Sequence, residues 1–256
     1  MHLLKKMICM FAVFLSGPAI SDEIRVLSVG SAEMAIKSLI PEFNKMGHAV
    51  KFEWGPPNIV WNRIQGGEKF DVVILSTPAM TDLINQKRAQ ASTKVSLART
   101  GIGVVIPAAK TTIPDISTID NFKMSIVSAD KIAYRNPTLP NMSGEMVEKI
   151  LKKIGVYESV ESKLIVLTRP AAEDMVGDGQ VDFSFVNLSE IPIRKDIRFI
   201  GAIPLSIQLY TNLEAAIATS SVNSGAAIAF HRLISGKEAR TAWESAGFES
   251  ALAYMQ

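Results

Sequence analysis

The chain is poor in the residue types that most often carry catalysis or metal binding. Cysteine occurs once, at Cys9, and histidine three times in 256 residues. Cys9 sits in an N-terminal leader pattern, so a processed chain has no thiol. That excludes a disulfide, a thiolate nucleophile and a cysteine metal site. Histidine is limited to His48 and His231 beyond residue 21. No Ser-His-Asp arrangement or spaced His/Asp/Glu cluster can be built from them. The sequence predicts no metal and no cofactor. "GIG" at 101–103 lacks the rest of a dinucleotide fingerprint and reads as a tight strand start.

Charge of one sign is also missing. There are 27 basic and 25 acidic residues, and losing Lys5 and Lys6 with the leader balances them. A neutral chain excludes the electrostatic footprint of a nucleic-acid or acidic-membrane partner. The long apolar run of a membrane span is absent as well. The Met7–Leu15 run is shorter than the roughly 20 residues a spanning helix needs.

What the N-terminus has instead is two lysines, a short apolar run and small residues ending at Ala19-Ile20-Ser21. This is the pattern of a secretory signal peptide, residues 1–21, cleaved near Ser21. The expected location is the periplasm. The 235 residues left after removing 21 of 256 suffice for one large domain or two small ones.

Strand and helix patterns alternate along this remainder. Ile24–Val29 reads as a strand and Ala32–Asn44 as a helix. "AVKFEW", "FDVVILS", "GIGVVIPA", "KIAYRNP", "KLIVLT" and "VDFSFVN" read as further strands. Helical patterns lie between most of them, which predicts an α/β layer architecture. In such sheets ligands gather where strand ends enter helices. Gly30-Ser31, Ser76-Thr77 and the loop from Arg135 to Gly144 are three such points. Unpaired N–H groups at helix starts carry roughly half a positive charge, which suits an anion. The pattern therefore points to a small anionic ligand.

"IRVLSVGSAEMAIKSLIPEF", "IQGGEKFDVVILSTPAMTDLI", "IGVYESVESKL" and the closing "LISGKEARTAWESAGF" resemble the periplasmic molybdate-binding protein family of ABC importers, in order and over about residues 24 to 250. The resemblance implies an α/β, two-lobe type II periplasmic-binding fold, each lobe a mostly parallel sheet flanked by helices. It implies a first lobe of residues 22–100 plus 211–256, a second of 101–210, and a ligand cleft between them. It also implies a monomer that delivers its ligand to an inner-membrane ABC permease.

Carried over position by position, the family's first ligand serine falls on Ser31. Its serine-rich turn falls on Pro56-Pro57-Asn58, where no serine stands. The ligand-facing start of a helix in the second lobe falls near Ser143, and a backbone donor falls near Arg169. The family's tyrosine falls on Asn187. Thr77, at the third strand-to-helix turn, joins the set. Arg135 and Arg169 supply planar forks that match carboxylates. The expected ligand is thus a molybdate-like oxyanion or an organic polycarboxylate. "GIGVVIPAAKTTIPDISTIDNFK" also resembles the aconitate isomerases, periplasmic enzymes on the same fold. That resemblance implies the alternative, a double-bond shift in a tricarboxylate, with Tyr134, Glu173 or a water as base.

Overall fold

A computed structural model describes residues 23–138, 143–167, 172–191 and 195–254. In chain order the first half of the fold opens with β1 (Glu23–Val29), a 3₁₀ turn (Gly30–Ala32) and α1 (Glu33–Lys45). Then come β2 (Ala49–Gly55), α2 (Pro57–Gln65), β3 (Val72–Ser76), α3 (Thr77–Asn85) and β4 (Val95–Thr100). The second half holds β5 (Ile102–Pro107), α4 (Ile119–Ser128), β6 (Ile132–Arg135) and α5 (Ser143–Lys153). It continues through α6 (Tyr157–Val160), β7 (Leu164–Leu167), α7 (Ala172–Gly177), β8 (Phe183–Asn187) and β9 (Ile197–Ala202). The chain then returns to the first half with β10 (Thr211–Ile217), α8 (Ser224–Ser235), α9 (Arg240–Ser245), β11 (Glu249–Ser250) and α10 (Ala251–Tyr254).

Two sheets result, ordered β11-β4-β10-β3-β1-β2 and β7-β6-β8-β5-β9. Every residue of β3 is buried, as expected of an apolar strand covered on both faces. The parallel ladders β2-β1-β3 and β7-β6-β8 form where strand and helix patterns alternate. Antiparallel partners join them: β10 on β3 and β4, and β5 on β8 and β9.

The first half packs one continuous core, in which Phe43 of α1 meets Phe230 of α8 edge-on at 5.0 Å. Trp243 is buried there, and its indole N–H donates to the Ile234 carbonyl at 2.9 Å. Core residues cover both faces of the second sheet, around Phe183 and Phe185 on one side and Val105 and Val186 on the other.

Register decides what the two sheets show each other. Val29 pairs with Gly55, and Leu213 pairs with Ser76. The ends of β1, β2 and β3 therefore share one edge with the start of β10. Thr100 pairs with Thr211, so the chain leaves and re-enters the first sheet at that same edge. In the second sheet Ile102 pairs with Asn187 and Gly103 with Ala202. The edge facing the crossovers thus carries the ends of β8 and β9 and the start of β5.

The two crossovers are clasped together. The buried Gln208 side chain accepts from the Ile102 N–H at 2.8 Å and donates to the Ile102 carbonyl at 2.9 Å. A Cβ at Gly101 would stand 2.7 Å from that amide carbon, so a larger residue there would displace the clasp. Thr100 Oγ1 accepts from the Ser189 N–H at 3.0 Å, and the Thr211 hydroxyl lies 3.3 Å from Met146 Sδ on α5. These contacts set the two edges against each other.

α2 is seated by charge. Arg63 bonds Glu53 on β2 and Glu68, each at 2.6 Å, and Arg25 on β1 reaches Glu68 at 2.8 Å. Burial pushes the Glu53 carboxyl up, but hydrogen bonds from Lys51, Arg63 and Arg25 outweigh it and bring it down to about 2.

His231, on α8, has a buried Nε2 without a hydrogen-bond partner. Burial holds its imidazole below the ordinary 6.5, against hydrogen bonds to the Thr93 and Ala215 backbone, with Arg232 adding to the depression. The folded state therefore refuses a proton that the unfolded chain accepts. Stability from this group is complete above about pH 6.5 and is lost as pH falls toward the depressed folded value. In melting curves against pH, His231→Gln is expected to flatten the acid-side decline that begins there. An unchanged slope would show that other groups set it.

Candidate functional site

Three helices begin at the shared edge of the first sheet. α1 follows the 3₁₀ turn after β1, α2 follows β2, and α3 follows β3. None of these starts has a side-chain capping bond, whether at Val29 before the turn, at Pro56 or at Ser76. Of the helices that start elsewhere, α4 is capped, with Thr118 accepting from the Asn121 N–H at 3.1 Å, whereas α8 and α9 also begin without a side-chain cap. The first N–H groups of a helix have no intrahelical partner, so uncapped starts gathered at one edge form a field of donors.

Ser31 stands half-buried in the 3₁₀ turn. Thr77 is half-buried at the first position of α3, and Asn58 is exposed at the second position of α2. The register above brings these three to one edge. Pro57 and Pro78 lie beside Asn58 and Thr77 and remove two of the donors that the helix starts would otherwise present.

The opposing edge belongs to the second sheet. Arg135 ends β6, and its guanidinium pairs with Glu190 at 3.0 Å, just beyond β8. Ser143 opens α5 and is only 2 % exposed, yet its hydroxyl has no hydrogen-bond partner. α5 approaches β6 so closely that a Cβ at Gly144 would stand 2.0 Å from the Arg135 carbonyl oxygen. Asn187 ends β8, and its Oδ1 is buried without a partner. The Ser189 hydroxyl, two residues on, is in the same condition. Buried polar atoms are nearly always satisfied, so orphaned oxygens at the end of β8 and the start of α5 point to an occupant.

The structure thus groups Ser31, Asn58 and Thr77 on one edge and Arg135, Ser143 and Asn187 on the other. Arg169 lies outside the described residues. Ser189, Thr100 and Gln208 were not anticipated from the sequence. Ser189 lies in a short 3₁₀ turn (Leu188–Glu190) after β8 that no helical period announces, so only its orphaned hydroxyl reveals it.

Tyr134 does not serve the edge. Its hydroxyl donates to Glu148 Oε1 at 3.0 Å beneath α5. Burial, and then the bond to Glu148, push its phenol well above the ordinary range, so it stays protonated at neutral pH. The Glu173 side chain lies outside the description. Among the described residues no cluster of three His, Cys, Asp or Glu is placed to hold a metal.

Between α2 and α3 a groove of about 320 Å³ runs away from the first edge. Its floor is the ends of β1 and β3, and Trp61 forms part of one wall. Trp54 instead stacks on Phe52 at 5.1 Å, with Lys37 Nζ 4.1 Å from the centre of its ring.

The chain belongs to the bacterial extracellular solute-binding protein family, whose model matches residues 24–249. It is 26% identical over 231 residues to an aconitate isomerase of Pseudomonas sp., covering 88% of this chain and 86% of that protein. The substrate-binding domain assigned to a molybdenum ABC transporter of Clostridium difficile superposes with a TM-score of 0.77 at 17% identity, over 90% of this chain and 99% of that one. The periplasmic molybdate-binding protein of Azotobacter vinelandii gives 0.67 at 20% identity, over 88% and 98%. The fold is accordingly the two-lobe type II periplasmic-binding fold. Among the described residues no helix is long and apolar enough to cross a membrane.

An orphaned buried hydroxyl contributes nothing to the empty fold. Ser143→Ala is expected to leave thermal stability unchanged or raise it by about 1 kcal/mol. The same change should weaken anion binding by roughly tenfold, as loss of one hydrogen bond to a charged ligand does. A Ser143→Ala protein that melts several degrees lower would show that the hydroxyl has a structural partner.

Proposed function

We propose that the protein is exported with loss of residues 1–21 and acts as a monomeric receptor for a small organic carboxylate, delivered to an inner-membrane ABC permease. Residues 22–100 and 211–256 form one lobe, residues 101–210 the other, and the ligand is held between them. The observation that carries this reading is the pairing of uncapped helix starts on one edge with the orphaned oxygens of Ser143, Asn187 and Ser189 on the other. An anion between the edges satisfies both sets at once.

Ser31 and Thr77 give hydroxyls and stand at helix starts. Asn58 and Ser143 add short donors. Arg135 turns its fork to a carboxylate, with Glu190 holding the guanidinium in place. Arg169 would add a second guanidinium. Asn187 orients the ligand through its amide. Closure of the lobes strips water from the anion and strengthens each bond.

The likeness to an aconitate isomerase along most of the chain favours a second reading. Here the same donors hold the carboxylates of a tricarboxylate while a proton leaves one carbon and returns at another. That requires a base in reach of the first carbon and donors for the delocalised anion. The Tyr134 hydroxyl is engaged with Glu148 at 3.0 Å, which leaves Glu173 or a water as the base of this reading.

Thermal shift against molybdate, tungstate, sulfate, citrate and cis- and trans-aconitate tests the proposal. A ligand at a hundred times its Kd should stabilise the protein by about 2.7 kcal/mol. The carboxylates are expected to do so. Failure of every anion to raise the melting point overturns the reading. Proton NMR of cis-aconitate with the protein decides between carrying and converting, since growth of trans-aconitate signals would establish the enzyme.

A further inference from the structure

The groove between α2 and α3 bears on which anion is held. It shares Asn58 and Ser76 with the donor edge, so a molecule gripped at the strand ends has open space beside it. At about 320 Å³ it falls at the lower end of the roughly 300–1,000 Å³ typical of small-molecule pockets. Its walls near the edge are the rings of Pro57 and Pro78, with Trp61 one helical turn beyond Pro57. Proline rings supply carbon where helix starts would supply N–H, so this side does not suit a compact oxyanion's need for donors all round. It does suit a flat or aliphatic carbon skeleton. Asn62 and Asp82 stand at the far end, one turn beyond Asn58 and Pro78.

We infer that this groove is a specificity annex that takes the carbon skeleton of an organic carboxylate whose charged end is held at the strand tips. The inference rests on the anion reading above and narrows it. A tetrahedral oxyanion leaves the annex empty. Asp82 opposes a carboxylate that extends that far, so a ligand that carries charge along its skeleton binds against this repulsion.

Calorimetry on the purified protein with trans-aconitate and with molybdate, in the wild type and two variants, tests this. Asn62 is exposed, so Asn62→Phe fills the annex without touching the core. It is expected to weaken trans-aconitate about tenfold or more by occupying the skeleton's space. Asp82→Asn is expected to tighten trans-aconitate severalfold by removing the repulsion. The melting point of each unliganded variant should match the wild type. Trans-aconitate affinity unchanged in both variants overturns the inference. Tight molybdate binding with no response to trans-aconitate overturns it too, and leaves the anion reading standing. If the wild type binds neither probe, the anion reading itself is wrong and the annex falls with it.

Discussion

The site depends on N–H groups that the fold leaves open. α1, α2 and α3 all begin at one edge of the first sheet, and none of the three starts is capped by a side chain. A cap is worth about 1 kcal/mol to a helix, so three missing caps cost stability. Each start instead favours an anion by about 0.3–1 kcal/mol when exposed and up to ~2 kcal/mol when partly buried. The gain is realised only when a negative charge arrives. The orphaned oxygens of Ser143, Asn187 and Ser189 follow the same logic from the other side. On the proposed function, the stability given up at both edges is restored by a shared guest.

For that to work the edges must face each other and still be able to part. The Gln208 clasp on Ile102 keeps the two crossovers adjacent, because both of its amide atoms are bound to one backbone residue. Arg99 adds a tie, with its guanidinium 4.0 Å from the centre of the Tyr210 ring and paired with Glu249 at 2.6 Å. Hinges are a few residues at element ends, and the proposed closure would place them where β4 leaves and β10 returns. The groove between α2 and α3 lies wholly within the first half, seated by the Arg63–Glu53–Glu68 cluster. Its shape is therefore set by the first half alone.

Much of this was legible in the residues. The strands β1, β3, β5 and β8 are short apolar runs, and burial on both faces leaves them no other pattern. The turn at Gly30-Ser31 could be seen because a helical period begins at once. β10 was not legible: "TNLEAAI" carries Asn212 and a buried Glu214, whose Lys94 partner at 3.5 Å is distant in sequence. β4, "VSLART", is half polar for the same reason, since its antiparallel neighbours β10 and β11 are both distant in sequence. Ser143 and Asn187 were reached through resemblance. Their orphaned oxygens are properties of packing that no local pattern encodes. The groove could not be foreseen either, because it is the space between two helices whose prolines, Pro57 and Pro78, lie 21 positions apart, brought together by the pairing of β1 with both β2 and β3.

A crystal structure grown with trans-aconitate tests the central claim most directly. The account predicts carboxylate oxygens within hydrogen-bond distance of the backbone N–H groups at Ser31 and Thr77 and of the Ser143 hydroxyl, with the two edges drawn together. An anion bound elsewhere, with the three helix starts and the Ser143, Asn187 and Ser189 oxygens still without partners, would contradict it.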